Sequence, residues 1–575
     1  MPSLERYRTQ GETSVGWRSM PSSSVRRPNR VLRLAYFVVL ACGGISRLFA
    51  APVITSVANA ASNIALNAPL AQGAVFVLKG TGLGPANISL APAAFQSTSL
   101  SGTSVAVTVG DTTVNALMYY TSDSQVAALL PSSTPTGSGS FTVTYDGQIS
   151  NSMGHTIVAS NLGILTIDST GQGPAVVTFS DYGLVSAAKA ANCGGPNTAC
   201  GAANPGDTLT LWGTGLGPVA GDDASGAGLG QNIPDVPLTV WLGGVQASVI
   251  YQGRSGCCVG LDQIVFTVPA TVPTGCAVPV VVQIGTAANT ISNTTKLPVA
   301  AGSRNCTPNN AAFASASLAQ LALAGPVSVG DIDLEKGLNG NGNGFEDEGS
   351  FQFVKATAKP GFEPFVDAFT DPLPPGTCAA FGGINPADNI PIASSMNLDG
   401  GSNVTVNGPS GSVILNGSNG NPVEINAAGK FLGPGVYTVT GTGGADVGPF
   451  RATLTILAVP TLASPSNAAS LTVTRSSGMT VGWKGGDPSG NVQLTVVSAT
   501  DATFTIGASA TCTVPASAGT FTIPPYVLLA LPAGNFGALF FGSAESQVPF
   551  TAPGLSVGTL HTETVNAGLG YFVLK

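Results

Sequence analysis

The densest group of chemically useful side chains lies between residues 331 and 348. Asp331 and Asp333 alternate along one segment, and a loop rich in glycine and asparagine follows before Asp347. Oxygen-bearing side chains separated by glycines let a loop wrap a hard cation such as Ca²⁺, which takes about six to eight oxygen ligands. The sequence therefore predicts a calcium loop with these ligands: Asp331, Asp333, Asn339, Asn341, Asn343 and Asp347.

The predicted loop departs from an EF-type calcium loop at the positions where charge matters most. Its first position is Asn339 instead of Asp, and its twelfth is Ser350 instead of Glu. A solvated acidic hairpin tip explains the same composition without a metal. Calcium is the one cofactor that the sequence suggests. Binding requires the loop to fold back on Asp331 and Asp333, which makes the strands before residue 335 and after residue 350 neighbours.

Catalytic motifs are scarce in this chain. A Ser-His-Asp triad would need His155 or His561, the two histidines, and the sequence lacks a G-x-S-x-G elbow. Residues 186–189 match S-x-x-K without its companion motifs, and residues 80–84 lack the Lys-Ser/Thr end of a phosphate loop. We therefore predict no catalytic residue and no enzyme. A hydrolase with an unrecognised carboxylate pair in the C-terminal half is the catalytic alternative.

The elements that must position these side chains are β-strands. Short apolar or alternating segments recur between Gly, Pro, Ser and Asn, with turn signals about every 8–12 residues. Helical periodicity is nearly absent; residues 311–324 are the one candidate helix, and their Ser/Ala alternation fits a strand equally well. This pattern predicts an all-β chain of tandem Ig-like β-sandwich domains.

An internal duplication divides the chain. The G-T-G-L-G-P segment returns in full, and three later markers return in the same order. The matched segments are 80–85 with 213–218, Gly110 with Gly243, 125–131 with 263–269, and 149–151 with 291–293. A tyrosine also returns, with Tyr119 or Tyr120 as the match to Tyr251. Ordered matches of this kind indicate duplicated domains, which should superpose. The predicted domains are 51–160, 161–301, a β-rich domain at 302–459 and a β-sandwich at 460–575.

The first 50 residues have the composition of an export signal. Arginines precede an apolar run, residues 34–45, that is too short to span a bilayer, and small residues follow. We predict cleavage after Ala50; an imperfect lipobox ending at Cys42 leaves a lipoprotein signal open. The remaining chain holds 13 basic and 27 acidic residues and no later transmembrane-length segment. An acidic, sparsely charged surface argues against nucleic-acid partners. The predicted location is extracellular or at the cell surface.

Eight cysteines follow residue 50, and an even count in an exported chain predicts four disulfides and no free thiol. Closeness in sequence predicts a bond between Cys193 and Cys200, and Cys378 and Cys512 are left to bond each other. The adjacent Cys257 and Cys258 are expected to bond to Cys276 and Cys306, because adjacent cysteines bond each other only with strain. A zinc site is the alternative, but paired C-x-x-C spacing and a nearby histidine are missing.

The two repeats resemble Ig-like domains of the IPT/TIG type. More closely, they are similar to a family of secreted bacterial proteins that share a T-G-L-G-P corner, here 214–218, and a G-x-D-Q-I-x-F-x-V-P strand, here 260–269. The first repeat keeps the corner but has Ser124 in place of Asp262. The resemblance covers residues 52–301. It implies an Ig-like fold and export, and it implies no catalytic residue.

These observations predict a secreted or cell-surface structural or binding protein, which adheres to or recognises an extracellular polymer or a surface protein. One alternative is a non-catalytic accessory protein of a polysaccharide-degrading system, and the other is the hydrolase described above. Exposed aromatic side chains clustered on one sheet would favour carbohydrate binding. Two carboxylates that face each other across a cleft would favour an enzyme.

Overall fold

The computed structural model of this chain describes residues 51–575 except 64–67, 93–95, 190–199, 286–290, 311, 340–343, 383–389, 417–419, 421, 467–470 and 502–506. β-strands dominate the described residues, which confirms the all-β prediction. The α-helices are short: α1 (Leu318–Ala324), α2 (Val366–Thr370) and α3 (Pro525–Leu529). Helix α1 occupies the second half of the candidate helix at 311–324, where Ser317 caps its first turn. The export-signal prediction falls on residues outside this description.

The first repeat is a sandwich of two sheets. Its strands are β1 (Val53–Asn59), β2 (Leu70–Ala71), β3 (Val75–Thr81), β4 (Ser89–Leu90), β5 (Ser99–Leu100), β6 (Thr103–Val109), β7 (Thr112–Asn115), β8 (Leu117–Thr121), β9 (Gln125–Leu129), β10 (Gly137–Tyr145), β11 (Gln148–Ile149) and β12 (Met153–Val158). One sheet has the order β1-β3-β9-β8-β4; the other has the order β2-β12-β10-β6-β5, with β7 and β11 at its side. Alternate residues of both sheets, such as Phe76 and Phe141, meet in the core between them.

The second repeat builds one eight-stranded sheet that folds over on itself. Its strands are β13 (Gly163–Ile164), β14 (Val177–Thr178), β15 (Thr208–Thr214), β16 (Leu238–Leu242), β17 (Val245–Arg254), β18 (Asp262–Thr267), β19 (Gly275–Ile284) and β20 (Thr295–Val299). The order is β13-β15-β18-β17-β16-β19-β20, with β14 beside β15. Leu211 and Ile264 from one half pack against Val240 and Val280 from the other half.

The repeated Ile-Ser-Asn segment makes the same contacts in both repeats. The amide of Asn151 bonds both the N–H and the carbonyl of Ile54, and the amide of Asn293 does the same for Ile164. Each asparagine thereby fastens the opening strand of its repeat. These equivalent contacts give the sequence repeat a physical basis. Superposition of the whole repeats stays a prediction.

The T-G-L-G-P corner is held in two different ways. In repeat 2, the N–H of Leu216 donates to the carboxylate of Asp262 at 2.7 Å. In repeat 1, the equivalent Leu83 N–H donates to the backbone carbonyl of Asp123 at 2.8 Å. The strand register also shows which tyrosine of repeat 1 corresponds to Tyr251. Tyr120 opposes Ala127 directly after a bulge, as Tyr251 opposes Val265.

The C-terminal part is organised around a ten-stranded sheet. Its strands are β21 (Val327–Leu338), β22 (Phe345–Ala358), β23 (Thr377–Gly382), β24 (Ile392–Asn397), β25 (Asn403–Gly408), β26 (Gly411–Asn416), β27 (Val423–Asn426), β28 (Gly435–Gly441), β29 (Phe450–Ile456), β30 (Thr461–Ser464), β31 (Thr472–Val473), β32 (Met479–Lys484), β33 (Asn491–Ala499), β34 (Gly507–Pro515), β35 (Thr520–Ile523), β36 (Gly534–Phe550) and β37 (Val557–Leu574). The ten-stranded sheet has the order β23-β34-β33-β36-β37-β21-β22-β24, and β27 and β31 pair at its side.

Two smaller sheets, β26-β25-β28-β29 and β30-β32-β35, cover parts of the large sheet. The large sheet takes strands from both sides of residue 460, and β21 lies parallel to β37. The predicted boundary between 459 and 460 therefore falls inside a region that one sheet unites.

The described disulfides confirm part of the predicted pairing. Cys378 bonds Cys512 as predicted, and Cys200 is disulfide-bonded, while its predicted partner Cys193 lies outside the described residues. The cross-pairing prediction was wrong. Cys276 bonds Cys306, and Cys257 bonds its neighbour Cys258. Cys276 and Cys306 are buried together against helix α1 and its neighbours, whereas the adjacent pair lies in the loop between β17 and β18. The fold thus holds the two pairs apart.

The two repeats meet at an interface with polar and apolar contacts, which we call the joint. It consists of the corner 214–218, Asp223 and the loop 255–261 of repeat 2, together with the residues of repeat 1 that they touch. The side chain of Asn59 donates to the Thr214 carbonyl at 3.0 Å, and the Val75 N–H donates to the Thr214 hydroxyl at 2.8 Å. Ser132 N–H donates to Asp223 at 2.7 Å.

A buried ion pair supports the joint from the side of repeat 2. Arg254 and Asp262 are 1% and 0% exposed, and their side chains meet at 2.6 Å. Arg254 also donates to the Gly217 carbonyl at 3.0 Å. On the other side of the guanidinium lies Gly73 of repeat 1, where a Cβ atom would stand 2.4 Å from Nη2. A larger residue at position 73 would therefore displace the Arg254 guanidinium and would also be strained, because Gly73 has a φ of +71°.

Candidate functional site

The alternation of strand β21 places charged side chains on one face of the large sheet. Ile332 and Leu334 are fully buried in the core between the large sheet and the β26-β25-β28-β29 sheet. Asp331, Asp333 and Glu335 therefore point to the opposite face, because successive strand residues alternate.

Strands β37 and β36 complete this group. Asp333 stands opposite His561 and Glu335 opposite Glu563 in the parallel β21–β37 pair, and β36 contributes Glu545. We call the group the acidic cluster; its members are Asp331, Asp333, Glu335, Glu545, His561 and Glu563. It gathers five carboxylates around one imidazole.

His561 is the cation at the centre of the acidic cluster. Its Nδ1 lies 3.0 Å from Glu545 and 3.8 Å from Asp333, and its Nε2 lies 3.2 Å from Asp331. The Nε2 contact is an ion pair and not an aligned hydrogen bond, since this buried atom has no hydrogen-bond partner of good geometry. Burial by itself would lower the pKa of His561, but contacts with Asp331 and Glu545 and the charge of Asp333 raise it to about 11. The ring is therefore a charged imidazolium at neutral pH.

Two carboxyls of the acidic cluster hold their protons unusually tightly. Burial raises the pKa of Asp333 to about 7; the positive His561 opposes that rise and the neighbouring carboxylates add to it. Burial and the carboxylates Glu335, Glu545 and Asp333 raise the pKa of Glu563 to about 8. The pKa of Asp331, by contrast, is lowered, because contacts with His561 and Thr559 outweigh its burial. The cluster thus holds protonated and ionised carboxyls side by side, which is an arrangement suited to acid–base chemistry.

The described aspartates of the predicted calcium loop lie on two different faces of one hairpin. Strands β21 and β22 are antiparallel neighbours, as the predicted geometry required, and Asn339 lies at their turn, where its N–H donates to Gly344. Asp347 opposes Lys336 and is fully buried on the face away from Asp331 and Asp333.

The carboxylate of Asp347 is committed to other contacts. It accepts the N–H groups of Phe431 and Leu432 at 2.6 and 3.0 Å and pairs with Lys336 at 3.4 Å. Asn341 and Asn343 lie outside the described residues. Calcium binding at this hairpin stays a prediction.

The sequence signal for the rest of the acidic cluster was weak. Glu335 continues the alternation of Asp331 and Asp333, and His561 and Glu563 alternate in the same way. Nothing in the sequence indicated that β21 and β37, more than 200 residues apart, would pair. The second histidine, His155, is half-buried in repeat 1 and contacts the Ala68 carbonyl at 2.8 Å. Burial lowers the pKa of His155.

A neutral cavity lies where the two repeats meet the large sheet. It has a volume of about 140 Å³ and is walled by Asn59 and Asn161 from the first repeat and its linker, Gln172 and Asn293 from the second repeat, and Phe381 from β23. Among the described residues, no Asp, Glu, Lys, Arg or His lines it. We call this space the junction cavity. Ligand sites occur preferentially at such domain interfaces.

Exposed aromatic residues do not cluster on one described sheet. Tyr182 and Tyr571 are 75% and 52% exposed, and they belong to the second repeat and to β37 respectively. Phe536 lies against Tyr571 with ring centroids 6.0 Å apart. A broad aromatic platform for a sugar chain is therefore absent from the described residues, and the junction cavity is the neutral recess that remains.

Residues 52–157 match the family model of the IPT/TIG domain. The first repeat is an IPT/TIG domain. Its sandwich, its T-G-L-G-P corner and its motif contacts agree with the resemblance that the sequence showed. The match covers this repeat and not the whole chain. No curated protein matches the chain.

Solved structures share only a weak likeness with this chain. A surface glycan-binding protein, PbSGBP-B from Prevotella bryantii, is 11% identical over 41% of this chain and 40% of its own, with a TM-score of 0.13. SGBP-B from a complex xyloglucan utilization locus in Bacteroides uniformis is 11% identical over 92% of this chain and all of its own, with a TM-score of 0.14. Domains A168–A170 from titin are 12% identical over 68% of this chain and 92% of their own, with a TM-score of 0.12.

This chain spans less than half the length of the Prevotella protein. TM-scores this low carry no argument about fold or function. Within the described chain, no helix combines the length and the apolar character needed to cross a membrane.

Proposed function

We propose that this chain is a secreted or cell-surface structural and binding protein that recognises an extracellular polymer without catalysing a reaction. The junction cavity is the observation that carries the proposal. Its described wall is neutral. The Asn59 and Asn293 amides are bonded within the protein. This leaves the amide oxygens of Asn161 and Gln172, together with Phe381, to meet a ligand. A sugar ring offers hydroxyl groups to amides and an apolar face to an aromatic ring, so a neutral polysaccharide is the polymer that fits best.

The size of the junction cavity limits what can enter it. A cavity of about 150 Å³ in another protein holds one benzene molecule, so about 140 Å³ admits part of a single sugar residue, which has about twice as many non-hydrogen atoms as benzene. The Gln172 amide at its wall donates to the Gly382 carbonyl at 3.0 Å, which ties repeat 2 to the large sheet. A terminal or side-branch sugar therefore fits better than the middle of a stiff chain.

The test begins with residues 51–575 on an array of glycans and matrix proteins. We expect binding to a neutral glycan, and Phe381→Ala should weaken it about tenfold or more, since one lost ring contact is worth about 1–2 kcal/mol. Tyr182→Ala is the matched control, because Tyr182 is an exposed aromatic residue that does not line the junction cavity. Binding that is unaffected by Phe381→Ala, or no binding to any glycan, would remove the proposal.

The acidic cluster favours a second candidate function, a hydrolase that uses carboxyl groups of the C-terminal half. Glu563, with its pKa raised to about 8 by burial and by neighbouring carboxylates, would act as the acid, and Glu545 on the neighbouring strand would stabilise positive charge or activate water. The discriminating assay is hydrolysis of glycosides by the wild type and by Glu563→Gln. Turnover that is abolished by this substitution supports the hydrolase, and absence of turnover in the wild type supports the binding protein.

A further inference from the structure

Cys257 and Cys258 form the most accessible of the described disulfides. Cys257 is exposed and Cys258 is half-buried, and they are bonded to each other. The other described disulfide cysteines are at most 6% exposed: Cys200, Cys276, Cys306, Cys378 and Cys512. Because thiol–disulfide exchange requires access to a sulfur atom, a reductant from solvent reaches the adjacent pair first.

The accessible bond lies in the loop that holds repeat 1. Directly after it, Val259 is 7% exposed and packs against Leu117 and Leu129 of repeat 1. The Val259 carbonyl accepts the hydroxyl of Tyr119, and the next carbonyl, that of Gly260, accepts the Thr214 hydroxyl at 2.6 Å. Residues 259 and 260 therefore make an apolar contact and a polar contact at the joint.

A bond between adjacent cysteines restricts the loop beside these contacts. It closes a small ring through the peptide bond that joins residues 257 and 258, so neither backbone unit can rotate freely. Inside the loop, the Ser255 N–H bonds the Leu261 carbonyl at 2.8 Å, and the Leu261 N–H bonds the Cys258 carbonyl at 3.2 Å. Opening the disulfide returns backbone freedom to the segment that carries Val259 to repeat 1, and ordering it again costs conformational entropy.

We propose that Cys257–Cys258 is a redox-sensitive lock on the joint between the two repeats, opened by a small dithiol. One thiolate of the dithiol attacks Sγ of Cys257, and Cys258 leaves as a thiolate that takes up a proton. The second thiol of the reagent then attacks the mixed disulfide and releases Cys257 as a thiol. The reagent becomes a cyclic disulfide, and two electrons and two protons pass to the protein. The reduced loop loosens the joint without unfolding either repeat.

The first experiment titrates the native protein with a dithiol, traps new thiols with an alkylating reagent and locates them by peptide mass spectrometry. We expect labels on Cys257 and Cys258 before any label on Cys276, Cys306, Cys378 or Cys512. Labels on these four first, or free thiols at 257 and 258 before any reductant is added, would overturn the proposal.

The second experiment measures amide hydrogen exchange at the joint. Selective reduction should speed exchange about tenfold in residues 255–261 and 117–119, since their protection depends on local opening, and should leave β25 and β28 unchanged. Cys257→Ser/Cys258→Ser should exchange as fast as the reduced wild type and should not respond to dithiol. Exchange at the joint that stays the same after complete reduction of the pair would refute the lock, and this outcome is measured on the wild type without any variant.

Discussion

The side chains of Arg254 and Asp262 illustrate how one ion pair serves two purposes. Asp262 holds the T-G-L-G-P corner through the Leu216 N–H, and Arg254 fills the space beside Gly73 in repeat 1. Repeat 1 has Asp123 and Ser124 at the corresponding places, and a backbone carbonyl replaces the carboxylate. Repeat 1 has Ser124 where repeat 2 has Asp262, and the corner of repeat 2 is the one that contacts the other repeat. This difference in sequence therefore distinguishes the two corners.

Replacing Arg254 should destabilise the protein strongly at neutral pH. Arg254→Met leaves the buried Asp262 without its cation, which costs about 3–5 kcal/mol of unfolding free energy. Burial already raises the pKa of Asp262 to about 6, and removing Arg254 raises it further, so at pH 5 the carboxyl is protonated and the loss should be smaller. Denaturant unfolding at pH 7 and pH 5 measures both values.

Arg304→Met is the control for this substitution. Its ion pair with Asp207 is 34% and 19% exposed, and Arg304 also donates to the Ala202 carbonyl and lies over the Phe179 ring, so the loss should be about 1–2 kcal/mol. Equal losses for the two arginine variants at pH 7 would contradict the role given to the buried pair.

The acidic cluster predicts that stability falls as pH rises. The folded-state pKa values of Asp333, Glu563 and His561 are about 7, 8 and 11, all above their ordinary values of 3.8, 4.5 and 6.5. Such groups contribute stability that is complete below the ordinary pKa and is lost as pH rises through the folded-state pKa. As pH rises, the free energy of unfolding therefore falls between about pH 4 and 8 because of Asp333 and Glu563, and between about pH 6.5 and 11 because of His561.

Urea unfolding at pH 5, 7 and 9 should therefore show that the free energy of unfolding decreases steadily as pH rises. Asp333→Asn removes one of the titrating groups and should flatten the slope between pH 5 and 7. Asp331 has a lowered pKa and acts in the opposite sense, but only in the acidic range below its ordinary value. Stability that increases from pH 5 to pH 9 would show that the cluster is not protonated as described.

Among the elements, the β21–β22 hairpin carries the calcium prediction. At a free calcium concentration 100 times the dissociation constant, binding would raise the free energy of unfolding by about 2.7 kcal/mol. Chelation should therefore lower the melting temperature. Because Asp333 and Asp347 face opposite sides of the hairpin, Asp333→Ala and Asp347→Ala distinguish two possible sites. Loss of the calcium effect in one variant only assigns the ion to that face. A melting temperature that does not respond to chelation leaves the hairpin tip as a solvated turn.

The Cys378–Cys512 bond ties β23 to β34 inside the large sheet. It closes a loop across a sequence separation of 134, and removing a disulfide of this kind costs about 2–5 kcal/mol. Cys378→Ala/Cys512→Ala should therefore lower the melting temperature by several degrees. Cys257→Ser/Cys258→Ser is the comparison, because it releases only adjacent residues and should have a much smaller effect. A larger shift in the second variant would reverse the expected order.

Strand positions could be predicted from the sequence far better than strand partners. The segment 260–269, predicted as a strand, contains β18. Alternation and turn residues are local signals, so one segment is enough to read them. The pairing of β21 with β37 depends on packing between distant segments, and no local pattern encodes it. The acidic cluster was missed for this reason, although two of its members, Asp331 and Asp333, were named as calcium ligands.

For the molecule as a whole, oxidised cysteines are a direct test of export. Thiol titration of the unfolded, unreduced protein should find no free thiol in residues 51–575. Seven cysteines are described as disulfide-bonded, and Cys193 lies outside the described residues. Two or more free thiols would refute the prediction of four disulfides. The control is the same titration after full reduction, which should find eight.

The parallel pairing of β21 with β37 also determines when the molecule can fold. Asp333 meets His561 only after β37 has been synthesised, more than 200 residues after β21. Contacts between segments this far apart in sequence slow folding, whereas each N-terminal repeat closes its sheets within about 140 residues or fewer. During synthesis the repeats can fold first, and β21 must wait unpaired for its partner. The acidic cluster therefore forms later than the two N-terminal repeats, and any activity that depends on it must wait until β37 has been synthesised.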